Sequence, residues 1–345
     1  MRRSPLTLGV LIAIVVVAVQ ALLVPLFAAP AANLAPRDLP IAVAGPPADA
    51  GPAGGASPAG GAAVPGPGAI AARLEAEHPG AFAVTTVADA AAADTAIKNR
   101  EVYGAILVTA AGPEVHVASA ASPTVSALLT QAAAGLGPQV PVRDVVPLDA
   151  DDPRGTGFAG GFLPLAITSL LAGMLIFLLV RTRVARFAAL LSYGVSAGLA
   201  TAVVQQGWLG ILPGDYLLVA AALGLFALAV SAAMTGLAAL LGRGGLGLGA
   251  LIMFLVGNAL AGIAAAPELL PQPWGEVGQW LPIGAGAQLV RSAAYFDGAG
   301  AFQAVAVLTA YAGTGLILTL IGRSGLVANS APEPVEARQE LVTAR

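Results

Sequence analysis

Apolar positions along this chain gather into six long blocks, 6–29, 158–180, 187–204, 216–241, 246–266 and 302–321, and the widest gap between them is the stretch 31–157. A bilayer's hydrocarbon needs about 20 apolar residues of helix to cross. Backbone at that depth satisfies its own hydrogen bonds only as a helix or a closed barrel. The blocks are continuous rather than alternating, which predicts six membrane helices and not strands. Residues 1–30 form the first, 158–322 a five-helix membrane domain, and 323–345 a tail with too few apolar residues for a core, read as disordered. Ala28-Ala29-Pro30-Ala31-Ala32 resembles a signal-peptidase site. A secretory apolar region usually has only about 7–15 residues, so the longer run here predicts a retained anchor; cleavage would leave five spans.

Residues 31–157 carry a different pattern. The segment 45–68 is almost wholly Pro, Gly, Ala and Ser, the composition of a linker. Around it, strands are expected at Pro40–Ala44, Phe82–Val87, Tyr103–Val108, Glu114–Ala118 and Val142–Val146, with helices at Ile70–His78, Ala88–Lys98 and Ser122–Leu136. Strands separated by helices imply a small, largely parallel sheet. The fold class is therefore a multi-spanning α-helical membrane protein with a small α/β domain inserted after its first helix.

Arginines set the expected direction. Arg2, Arg3, Arg181, Arg183, Arg186, Arg243 and Arg323 flank one set of helix ends, and the opposite short loops offer only Arg291. Basic residues favour the cytoplasmic side, so both termini are expected inside and 31–157 outside the plasma membrane of a bacterium. Trp208, Tyr216, Trp274, Trp280 and Tyr295 fall at the other ends, as interfacial aromatic rings do. Within the helices, small residues recur at four-residue intervals: Gly194 and Gly198, then Ala227, Ser231, Thr235 and Ala239, then Gly257, Ala261 and Ala265. Such stripes let helix backbones approach closely and predict a packed bundle, with Asn258 a candidate helix-to-helix hydrogen bond. The segment 281–297 is apolar yet too short to span, so an interfacial or re-entrant helix is expected, anchored by Trp280 and with Arg291 snorkelling outward. Trp280, Pro282 and Arg291 make it a candidate external gate.

Composition narrows the chemistry. Across 345 residues, 57% are hydrophobic and 10% charged, with a mean hydropathy of +0.83 and a net charge of −3. Lipid is the main solvent, and nothing points to a nucleic-acid partner. The absence of cysteine rules out disulfides, thiolate nucleophiles and cysteine metal sites. Lys98, the one lysine, follows no glycine-rich loop, so the chain lacks a phosphate-binding loop of its own. Acidic, basic and histidine side chains are missing from the five later blocks, whereas ion-coupled carriers place them there. His78 and His116 lie on different elements and would need carboxylates to make a metal site; Glu75, Glu77 and Glu101 read as solvated surface. No catalytic, cofactor or metal residue is assigned.

Two segments carry a family resemblance. Pro267-Glu-Leu-Leu-Pro271 through Trp280-Leu281-Pro282-Ile283-Gly284-Ala285 to Leu289-Val290-Arg291 resembles the outer loop before the last helix of type-2 ABC exporter permeases. Asp94-Thr-Ala-Ile97 through Arg100-Glu101-Val102-Tyr103-Gly104-Ala105 is similar to the helix-to-strand turn of their external domains. Together with the layout, the chain most resembles the phage-infection-protein (YhgE/Pip-like) branch. The resemblance implies a homodimeric or heterodimeric permease without an ATP site, driven by a separate ABC ATPase and moving a hydrophobic, lipid-like or drug-like substrate outward. The connections at 181–186 and 242–245 are shorter than the coupling helix by which such permeases dock their ATPase. The alternative is a membrane-anchored external binding or scaffold protein of the cell envelope.

Overall fold

A computed structural model describes residues 5–45, 66–109, 112–136 and 139–322. Most of the linker, the tail, Arg2, Arg3 and Arg323 lie outside the described residues. Six helices are long and apolar enough to cross a membrane. They are α1 (Pro5–Ala32), α5 (Thr156–Leu179), α6 (Arg183–Ala202) with the π-helical turn Val203–Trp208 continuing it, α7 (Tyr216–Leu241), α8 (Arg243–Gly249) with its continuation to Leu260, and α12 (Phe302–Ile321).

Between α1 and α5 lies the α/β domain: β1 (Leu39–Ala44), α2 (Pro67–Glu77), β2 (Phe82–Val87), α3 (Ala90–Lys98), β3 (Gly104–Thr109), β4 (Gly112–Val117), α4 (Pro123–Leu136) and β5 (Val142–Asp144). The sheet order is β2-β1-β3-β4-β5. β1 pairs in parallel with β2 and β3, and β4 with β5, while β3 and β4 form an antiparallel hairpin. The sheet is thus largely parallel, as expected, with one antiparallel pair. β3 and β4 are too close in sequence for the crossover that a parallel pair needs.

Helix α7 is the bundle's axis. Its most apolar window is 72% buried, against 0% for α1, so α1 stands clear of the rest of the chain over that window while α7 is packed inside it. The predicted stripe Ala227, Ser231, Thr235 and Ala239 is wholly buried on α7. Thr235 Oγ1 donates to Gly173 O on α5 at 2.9 Å. Gly194 and Gly198 of α6 face Gly224 of α7 so closely that a Cβ at 198 would stand 2.7 Å from Gly224 Cα. Gly257 is buried beside Ile283. Asn258, expected to bond a neighbouring helix, makes no side-chain hydrogen bond among the described residues.

The fifth block departs furthest from expectation. After α8 the helix widens into a π-helical stretch, Ala250–Val256, recovers as α9 (Gly257–Leu260) and ends there rather than at Ala266. Gly262 at φ +60° and Pro267 turn the chain out of helix. Ala265 and Ala266 are apolar because they join the core of the α/β domain, beside Leu39, Ile41, Val115 and Leu269. The chain then forms a 3₁₀ turn (Pro267–Leu269), α10 (Trp274–Gln279) and α11 (Pro282–Tyr295) before α12.

The far end of the bundle holds Arg181, Arg183, Arg186 and Arg243 around the α5–α6 and α7–α8 turns. Arg186 is fully buried, donating to Val180 O and Phe177 O at 2.8 Å each and lying 4.7 Å from the Phe177 ring centre. It satisfies carbonyls that the end of α5 leaves open.

Candidate functional site

The α/β domain and the bundle meet through interlocked side chains. Helix α3 is capped at its start by Asp89, whose carboxylate accepts from Ala92 N at 2.8 Å, and stops at Asn99. Arg100 follows at φ +62°, the left-handed backbone that commonly ends helices and usually falls to glycine. That turn aims its side chain at α11. One guanidinium donates to Gln288 O at 3.2 Å, to Gln288 Oε1 at 2.5 Å and to Ser292 Oγ, and lies 5.2 Å from the Phe296 ring centre. Burial lowers the Arg100 pKa from its usual value, with the nearby Tyr103 and Glu268 opposing that shift.

Three residues on, Tyr103 Oη donates to Glu268 Oε2 at 2.9 Å. Burial first, and then the Glu268 charge, raise the Tyr103 pKa far above the ordinary phenol value. Arg37, between α1 and β1, donates to Leu269 O at 2.8 Å, and the backbone N–H groups of Ala35 and Arg37 donate to Leu269 O and Glu268 O at 3.0 Å. Apolar contacts complete the lock. Leu269 enters the core on the α4 side of the sheet, and Phe296 enters the core on the α3 side. The domain is keyed into the bundle on both of its faces.

Between these contacts lies a cavity of about 660 Å³, within the usual range of small-molecule sites. The domain lines it with Arg37, Asp38, Arg100, Glu101 and Tyr103; the α10–α11 hairpin and its approach supply Glu268, Gln272, Glu276, Gln279 and Gln288; the start of α12 adds Gln303. Gln279 holds its amide by two long contacts of 3.4 Å, to Ala261 O and Gly275 O, and its Oε1 is buried with no partner.

The residues expected to form a gate do not line this cavity. Trp280 is 56% exposed at the end of α10, and Pro282 is buried in the first turn of α11. Arg291, expected to snorkel outward, is 4% exposed: it donates to Ile263 O at 2.7 Å and sits 5.0 Å from the Phe158 ring centre. An arginine in a short apolar helix reads alike whether it reaches solvent or an unwound carbonyl. Here the ending of α9 at Leu260 frees the acceptor. The sequence marks Arg100 and Tyr103 only as part of a helix-to-strand turn and does not mark the glutamines, because the cavity draws on three stretches far apart in the chain.

His116 sits inside the domain with Nδ1 2.6 Å from Asp94 Oδ1 and Nε2 3.1 Å from Glu114 Oε1, while Arg143 meets the other Asp94 oxygen at 3.3 Å. Both ring nitrogens are engaged, and among the described residues no group of histidine and carboxylates is arranged to hold a metal. His78 packs edge-on against Phe82, and Glu77 pairs with Arg73. No family model, curated protein or solved structure matches the chain.

Proposed function

We propose that this chain is the membrane permease subunit of an ABC-type exporter, energised by a separate ATPase and moving a hydrophobic, lipid-like or drug-like substrate outward. The observation that carries the reading is the α10–α11 hairpin. Helix α11 is too short to span, yet it is buried against α7 and α12, with Gly286 seated on the adjoining Phe162 and Phe226 rings. A helix that enters and leaves a bundle on one side occupies the mouth of any path between the spans. The long helices keep acidic and basic side chains to their ends, which favours energy supplied by another chain over ion coupling. A groove of about 200 Å³ lined only by apolar side chains, among them Leu171, Met174 and Phe254, suits an acyl or aryl chain.

In this reading the membrane is a bacterial plasma membrane, the arginine-flanked turns are cytoplasmic, residues 31–157 are extracytoplasmic, and the subunit pairs with itself or with a second permease. Purification of the tagged full chain in a mild detergent tests it. A nucleotide-binding ATPase should co-purify and hydrolyse ATP in the complex; a folded chain that never recruits one contradicts the proposal. The cavity's position beside the domain, reaching only the first turn of α12, favours a second reading, an envelope-binding or scaffold protein without transport. That reading predicts ligand binding with no ATPase partner.

A further inference from the structure

We infer that the chain's own segment 333–345 docks by its glutamates on the arginine-lined end of the bundle, covering the α5–α6 and α7–α8 turns. Close contacts fix the direction of three helices. Gly173 of α5 lies against Ser231 of α7, and further along Phe177 shares a core with Ala238 and Ala239. Gly315 of α12 lies against Ala232, and Gly322 against Ala239. Contacts that advance together along both partners mean parallel helices, so α5, α7 and α12 all finish at one end of the bundle. The chain beyond α12 therefore leaves beside the turns that carry Arg181, Arg183 and Arg243.

That end is basic and unbalanced. Arg181, Arg183 and Arg243 are exposed, and none makes an ion pair or a side-chain hydrogen bond among the described residues. The helix ends and turns around them, 176–190, 237–249 and 312–322, hold no acidic residue. Of the 19 acidic residues in the chain, Glu333, Glu336 and Glu340 alone follow α12. All the others lie between 38 and 152 or, at 215, 268, 276 and 297, by the opposite helix ends. Reach is ample. Glu333 follows Gly322 by 11 residues. Extended chain of that length spans up to roughly 36 Å, whereas packed helix axes stand only about 8–10 Å apart. The spacing 333, 336 and 340 puts the three carboxylates on one face of any helix the segment forms on docking, and Pro334 suits the first turn of such a helix. A single exposed ion pair contributes little, but three that share one short tether reinforce each other. Anionic lipid headgroups are the competing occupant of the same arginines.

That the covered surface is the one an ATPase would use rests on the exporter reading; that the segment covers it does not. The test uses the full chain, which has no cysteine of its own, spin-labelled at Ala337→Cys and at Val184→Cys, a position 74% exposed between Arg183 and Arg186. The distance between the labels is read by double electron–electron resonance in nanodiscs of phosphatidylcholine alone and of phosphatidylcholine mixed with phosphatidylglycerol. A short, narrow distance is expected in both. Glu333→Gln, Glu336→Gln and Glu340→Gln together should replace it with a broad distribution, as should salt at about 1 M, where charges are screened beyond about 3 Å. Arg338→Gln should leave it narrow. The triple variant alters no residue of the packed bundle, so lost docking is not confused with lost folding. A broad distribution before any glutamate is changed, or a narrow one that survives the triple variant, overturns the docking. So does loss of the short distance in the mixed lipid alone, which assigns the arginines to headgroups. Docking without a co-purifying ATPase contradicts the exporter reading alone, and an ATPase partner without docking contradicts this inference alone.

Discussion

Arg100 makes several of the links between domain and bundle: one guanidinium meets a backbone carbonyl, an amide oxygen, a hydroxyl and a phenyl face. Hydrogen bonds to a charged group contribute roughly 1.5–3 kcal/mol each, and partners left buried add to the loss. Arg100→Ala should therefore lower the opening free energy of the α11 amides by about 3 kcal/mol, read by hydrogen–deuterium exchange. Arg100→Lys should fail to restore it, because a point ammonium cannot reproduce the fork. Unchanged exchange in Arg100→Ala would remove the lock. Tyr103 gives a pH test. Its pKa is raised in the folded protein, so its contribution is complete below the ordinary phenol value of about 10 and is lost as pH climbs beyond it. Stability of the junction should fall on the alkaline side more steeply in the native chain than in Tyr103→Phe; parallel curves would contradict that assignment. Such residues were hard to read in advance. Arg100 and Tyr103 stood out only as part of a helix-to-strand turn, and their partners at 268, 288 and 292 follow after a long interval of chain.

Among the elements, those whose apolar residues all face one environment were legible. Helices α7 and α12 match their expected bounds, and the small-residue stripe on α7 is buried as expected. The fifth block was not legible, because its apolar positions serve two environments: the bundle core as far as Ile263 and the sheet core at Ala265 and Ala266. Hydropathy gives both the same value. Packing between long helices has its own test in two glycines of α12. A Cβ on Gly315 would collide with the α7 backbone at Ala232 and Ala233, whereas one on Gly313 would meet nothing within 4 Å. Gly315→Ala should cost about 1–3 kcal/mol or more through overpacking. Gly313→Ala should be neutral or stabilising by about 0.5–1 kcal/mol through helix propensity. Thermal unfolding of the two variants in one detergent reads the difference, and equal melting temperatures would disprove the close α7–α12 approach.

For the molecule as a whole, the α/β domain is not a free module. Leu269 and Phe296 come from the membrane half of the chain and fill opposite sides of its sheet. A fragment of residues 31–157 should consequently expose both core faces and bind a hydrophobic dye or aggregate, and in the full chain Leu269→Ala should cost about 2–5 kcal/mol. A monodisperse, cooperatively melting fragment would show that the domain folds alone. The same interlock would transmit any movement of the hairpin to the cavity. The exporter proposal depends on the direction in which the chain crosses the bilayer. Because the sequence holds no cysteine, single-cysteine variants report position without background. Glu75→Cys on α2 and Arg183→Cys at the opposite end of the bundle, both at exposed positions, should be treated with a membrane-impermeant maleimide on intact cells. Labelling is expected at 75 and not at 183 until the cells are opened; equal labelling at both, or the reverse order, would overturn the proposed topology.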